Sequence, residues 1–133
     1  MGVRLGLGFL GLFHLANGLT MLLWPAWWAA VVVHLNAPDH LHHHFITDIG
    51  LAFAASGIGM LLGARRGASR AAYAAAGAAW PLLHGLLHVE EWIAIGPPVA
   101  AGDRISEGVG VILAGIAGAV LAWLRLRDKR GDV

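Results

Sequence analysis

The chain has 133 residues, 58% of them hydrophobic and only 13% charged, with a mean hydropathy of +0.69; a water-soluble domain carries about 25% charged residues, so a bilayer is the natural solvent. The absence of cysteine excludes disulfides and thiolate sites, leaving nitrogen, oxygen or thioether ligands for any metal. A net charge of +1, with the nine basic residues placed where membrane topology puts them and not in a patch, argues against a nucleic-acid role.

In chain order, the first apolar segment covers about 5–24, behind Arg4. A cleaved leader would be shorter and would end in small residues before a cut site, so the segment reads as a span. Pro25 then interrupts it. The stretch from Trp24 to Val33 either extends the first helix past a kink or lies at the membrane surface with its tryptophans among the headgroups; the second reading is preferred. Asn36-Ala37-Pro38-Asp39 is a breaker, and His40-Leu41-His42-His43-His44 reads as a polar loop. Further apolar segments follow at about 45–63, 71–95 and 105–124, separated by a glycine- and arginine-rich turn at 63–67 and by Gly96-Pro97-Pro98. Each is close to the ~20 residues that cross hydrocarbon. The expected fold is all-α: a polytopic membrane protein, one four-transmembrane-helix domain over 1–133.

Arg4, Arg65, Arg66, Arg70, Arg125, Arg127, Lys129 and Arg130 flank the side shared by the termini, and only Arg104 lies on the other. The positive-inside rule therefore predicts both termini in the cytoplasm. Richness in Ala, Gly and Arg, with Lys129 as the single lysine, points to a bacterial inner membrane. Asp39, Asp48, Glu90, Glu91, Asp103, Glu107 and every histidine except His14 fall on the outward half, facing the periplasm or exterior. Gly11 and Gly18 on the first span, and Gly108, Gly115, Ala119 and Ala122 on the fourth, are spaced for close helix contact.

The chemistry concentrates on two helices. His44 and Asp48 lie about 40° apart on one face of the second span, and His84, His88 and Glu91 form one stripe on the third, with Glu90 pointing elsewhere. His14, with Asn17 one turn above it, approaches from the first span. An ionisable group at helix centre costs about 2.5–3.5 kcal/mol on insertion scales, so such a density requires partners. The preferred reading is a transition-metal site (Cu, Zn or Fe) drawn from His44, Asp48, His84, His88 and Glu91.

Three alternatives stand beside it. The groups can satisfy one another, with His88 bonded to Asp48, His84 to a carbonyl freed by Pro81, and Glu91 among the headgroups. His14 can ligate haem b together with His84 or His88. The chain of groups can carry protons, although no ionisable residue lies below His14 within the helices. His40, His42 and His43 serve equally well as a metal-capturing loop or as a plain connector, and His34 reads as interfacial.

In ligand set, His44, Asp48, His84 and His88 resemble the Asp/His/His copper site of particulate methane monooxygenases. A ferritin-like di-iron site wants Glu-x-x-His on two helices, whereas His88-x-x-Glu91 has the reverse order and occurs once. At whole-chain level, the opening Arg4-Leu5-Gly6-Leu7-Gly8-Phe9-Leu10-Gly11-Leu12-Phe13, the HFITDIG start of the second span and HGLLHVEE in the third resemble small four-helix bacterial membrane proteins of the DoxX-like kind. That resemblance implies the fold and no reaction. The functional expectation is a membrane metalloprotein, with oxidoreductase chemistry as one form of it. A non-enzymatic subunit or assembly factor of a larger membrane complex and a metal-uptake or transport protein are the alternatives; the expected partners are the lipid bilayer and either further copies of the chain, as a homo-oligomer, or a larger membrane complex.

Overall fold

The computed structural model describes residues 1–35 and 40–128. The breaker 36–39 with its Asp39, the side chain of His40, and Lys129 and Arg130 of the basic end lie outside the described residues. Among the described residues the chain is helical, without strands: α1 Gly2–Leu23, α2 Pro25–Val32, α3 His40–Gly63, α4 Arg70–Ile95, and α5 Ala101–Ile105, which continues through a π-helical stretch, Ser106–Leu113, into α6 Ala114–Arg127.

The break after α1 is set by proline. A residue before proline is pushed out of helical space, and Trp24 sits at φ −138°, ψ 57°. Pro25, lacking an N–H, takes the first turn of the next helix, where no donor is needed. The stretch after Trp24 is thus a separate short helix and not a continuation of α1. It folds back on its neighbours: the Trp28 indole donates to Asn17 Oδ1 at 2.9 Å, and Ala29 is buried with Met21, Ile46 and Phe53. Trp24 and Trp27 stay exposed.

Three helical stretches are long and apolar enough to cross a membrane: Gly2–Leu23, His42–Gly63 and Ala101–Arg127. That places the chain among multi-pass membrane proteins. The 26-residue α4 is as long, but its first half is mostly alanine where the others carry leucine, isoleucine and valine. His84, His88, Glu90 and Glu91 lower its hydropathy further. Leu5, Phe9 and Leu12 on α1 and Ile116, Val120 and Trp123 on α6 point outward, as side chains facing lipid do.

Consecutive long helices pack on one another, α1 on α3, α3 on α4 and α4 on α6, and α1 also meets α6. Leu7, Leu10, Met60, Ala74, Ala78, Ala114 and Ala122 make a core to which all four contribute. Small residues set the spacing, because helices in lipid gain from close backbone approach. A Cβ on Gly18 would stand 2.5 Å from the Ala54 nitrogen, and one on Gly57 2.5 Å from the Leu15 nitrogen. Gly115 lies against the Pro81 carbonyl. The buried stripe of α6 runs through Gly115, Gly118 and Ala122, so Gly118 takes the place expected for Ala119.

The arginines at the end shared by α1 and α6 have structural work. Arg4 Nε donates to the Ala64 carbonyl at 2.8 Å; Arg125 donates from Nε to Gly63 at 3.1 Å and from Nη2 to Arg65 at 2.6 Å. These carbonyls close the C-terminal end of α3, where the helix dipole is negative and the last C=O groups lack partners. Arg70 reaches the Gly67 and Asp128 carbonyls. Arg70 and Arg125 are almost fully buried because they complete this end of the fold.

Candidate metal centre

The α4 stripe is the part of the predicted site that is brought together. His84 stacks on Trp80, ring centroids 5.5 Å apart and 10° from parallel. One turn on, His88 meets His84 edge to face at 4.9 Å. His88 Nδ1 stands 3.3 Å from Glu91 Oε2 and 3.5 Å from Glu107 Oε2, yet this buried nitrogen is aligned with neither for a hydrogen bond. The imidazole is 20% exposed and the Glu107 side chain 28%, so the cluster lies at the rim of the helix packing, between lipid-facing surface and core.

Glu107, which is not in the predicted ligand set, also approaches His88. It lies in the eight-residue π-helical stretch, whose wider turn shifts the phase of the helix relative to regular 100° steps. In that setting its carboxylate faces α4 and accepts from Trp92 Nε1 at 2.8 Å, while Gly108 leaves room for the Trp92 ring. Regular helical periodicity carries no sign of this turn. The signal that existed was compositional: Glu107 followed by Gly108 and Gly110 in an otherwise apolar helix.

His44 and Asp48 stand apart from this group. They pair with each other, Nε2 to Oδ2 at 3.3 Å, and their side chains are 64% and 56% exposed. The inward stripe of α3 runs through Ile46, Gly50, Phe53, Gly57 and Met60. A residue two positions off that stripe lies about 200° round the helix, which puts His44 and Asp48 on the outer face. Among the described residues no hydrogen bond, ion pair or ring contact joins them to His84, His88 or Glu91, and Asp48 is partnered by His44 instead of His88. Residues 40–44, expected as a loop, form the first turn of α3. His34, read as interfacial, pairs with Asp103 Oδ1 at 3.1 Å from a left-handed backbone at φ 54°, tying the end of α2 to α5.

His14 lies on the Gly11/Gly18 stripe of α1 and is fully buried. It stacks on Phe53 at 5.5 Å and meets Phe13 edge-on; neither ring nitrogen has a partner. Phe53 also touches His84, at 5.6 Å. A haem held between His14 and His84 would have to displace that phenyl ring. An unpaired buried polar group costs about 1–3 kcal/mol, and native structures usually satisfy such groups with water or an ion.

As the side chains are placed, no three His, Asp or Glu residues among the described ones are arranged to hold a metal ion. The group does bring an imidazole nitrogen without a hydrogen bond beside two carboxylates, the second of which accepts from a tryptophan N–H. No protein-family model, curated protein or solved structure matches this chain.

Proposed function

We propose that the chain is an integral membrane metal-binding protein of the bacterial inner membrane. In this reading it is a four-transmembrane-helix bundle with Arg4 and Arg125 on the cytoplasmic side and a first-row transition-metal site in the outward half. The ligands are His88, Glu91 and Glu107, with His84 one turn deeper; the exposed His44–Asp48 pair stays outside the set.

The observation that carries the reading is the placing of His88 Nδ1 at 3.3 Å and 3.5 Å from two carboxylate oxygens without a hydrogen bond to either. Donor atoms around a four-coordinate ion with bonds of about 2.0–2.2 Å stand about 3.3–3.6 Å apart, the separation His88 Nδ1 keeps from both carboxylates. Three protein ligands leave a coordination position open, and an ion there would supply Lewis-acid or redox chemistry to a molecule arriving from the membrane. The chain's own part is to hold the donors: Trp92 fixes the Glu107 carboxylate, and the stack of Trp80, His84 and His88 fixes the imidazole.

The arginine end supports the orientation, since Arg4, Arg65, Arg66, Arg70, Arg125 and Arg127 gather at the opposite end from Glu91 and Glu107, with Asp128 paired to Arg125 among them. Titration of Zn(II) into detergent-solubilised protein tests the site. His88→Ala should weaken binding by about 100-fold or more, whereas His42→Ala should leave it within a few-fold. Equal losses in the two variants would contradict the assignment.

A further inference from the structure

Six described arginines gather at the end where α3 turns into α4, and four of them have partners within the fold. Arg4, Arg70 and Arg125 donate to backbone carbonyls, and Arg127 lies over the Trp123 ring at 3.8 Å. Arg65 and Arg66 are left over. Both are exposed, and among the described residues neither guanidinium makes a hydrogen bond, ion pair or ring contact. Asp128, the carboxylate described at this end, is held by Arg125 at 3.0 Å.

Membrane topology accounts for the sign of this surface but not for its shape. Arg65 and Arg66 border a groove of about 280 Å³ over the α3–α4 turn, which Leu62, Ser69, Arg70 and Tyr73 help to enclose and no acidic residue lines. The Ser69 hydroxyl makes no capping bond to α4, and the Tyr73 side chain is exposed. Guanidinium forks match the oxygens of a phosphate, and the two hydroxyls add donors. The apolar side of the groove says which phosphate. Leu62 and Tyr73 stand next to Gly63 and Ala74, where α3 and α4 touch closely, so they flank that seam on its outer side. Toward the membrane interior the same two faces continue as Ile58 on α3 and Trp80 on α4, both exposed. A free phosphate makes no contact with such a surface, whereas the acyl chains of a lipid can lie along it.

We infer that the groove binds the headgroup of an anionic phospholipid, with Arg65 and Arg66 on the phosphate, Ser69 and Tyr73 as hydroxyl donors, and the acyl chains along Ile58 and Trp80. The site lies at the opposite end of α4 from His88 and is independent of the metal reading. Native mass spectrometry of the full-length protein in detergent tests it, with phosphatidylglycerol, phosphatidylcholine and inorganic phosphate as probes. The wild type should retain phosphatidylglycerol at least about tenfold more tightly than phosphatidylcholine, the scale of two cations beside an anionic headgroup. Arg65→Gln combined with Arg66→Gln should remove that preference. Arg104→Gln, which removes an exposed cation at the other end, should leave it unchanged. None of these side chains supports the fold, and circular dichroism should be the same for all three proteins. An excess of inorganic phosphate should leave the lipid bound. Equal retention of the two lipids by the wild type, or an undiminished preference in the folded double variant, overturns the site. Full displacement by inorganic phosphate overturns the lipid as its occupant and makes free phosphate the ligand.

Discussion

Glu107 ties the proposed centre to the structure more closely than any residue chosen from spacing. Its carboxylate is shared between the Trp92 indole and the neighbourhood of His88. Glu107→Gln keeps an acceptor for Trp92 and removes the charge, so the fold should survive while Zn(II) affinity falls by at least the ~10–100-fold typical of lost supporting partners. Calorimetry alongside a thermal melt separates the two effects; loss of stability with unchanged affinity would make Glu107 a packing residue. At this scale the sequence is a good guide wherever the helix is regular. His84, His88 and Glu91 share a face because α4 keeps 3.6 residues per turn through Pro81. The approach of Glu107 to His88 was not legible because the π-helical turn breaks that rule, and the outward placing of His44 and Asp48 was not because spacing on one helix does not say which face is turned inward.

The helices depend on contacts that a single methyl group would disturb. Gly57 packs so closely on α1 that a Cβ would stand 2.5 Å from the Leu15 nitrogen and 2.6 Å from the Gly11 oxygen, while a Cβ on Gly8 meets nothing within 4 Å. Gly57→Ala should therefore lower stability by about 1–3 kcal/mol, the usual cost of overpacking. Gly8→Ala should be neutral or stabilising by up to about 1 kcal/mol through helix propensity. Thermal unfolding in detergent followed by circular dichroism checks both, and equal melting temperatures would refute the close-packed seam. The seam was legible from Gly11 and Gly18 at a seven-residue spacing, as was the break at Trp24 and Pro25. The start of α3 was not. Histidines 40–44 look like a polar connector, but histidine does not break helices, so α3 begins directly after the breaker that contains Pro38. The weak apolar signal of α4 has two causes: alanine in place of larger aliphatics in its first half, and in its second half polar residues that include His84, His88 and Glu91 of the candidate centre.

Taken as a molecule, the chain divides its polar groups by end. Arginines close the C-terminal end of α3 near both ends of the described chain, and histidines and carboxylates gather toward the opposite end of α4 and the start of the last helix. The asymmetry was readable from charge order alone. The double duty of Arg70 and Arg125 as buried structural donors was not, because burial of an arginine depends on which carbonyls a neighbouring helix leaves open. The central claim is that the unpaired nitrogen of His88, between Glu91 and Glu107, marks a metal ligand. The most direct measurement is elemental analysis of the protein purified in mild detergent without chelators. About one transition-metal ion per chain, removed by dialysis against a chelator and absent from His88→Ala, is the predicted result. A metal content far below stoichiometric in the wild type, unchanged in His88→Ala and not restored by added Zn(II), Cu(II) or Fe(II), would contradict it.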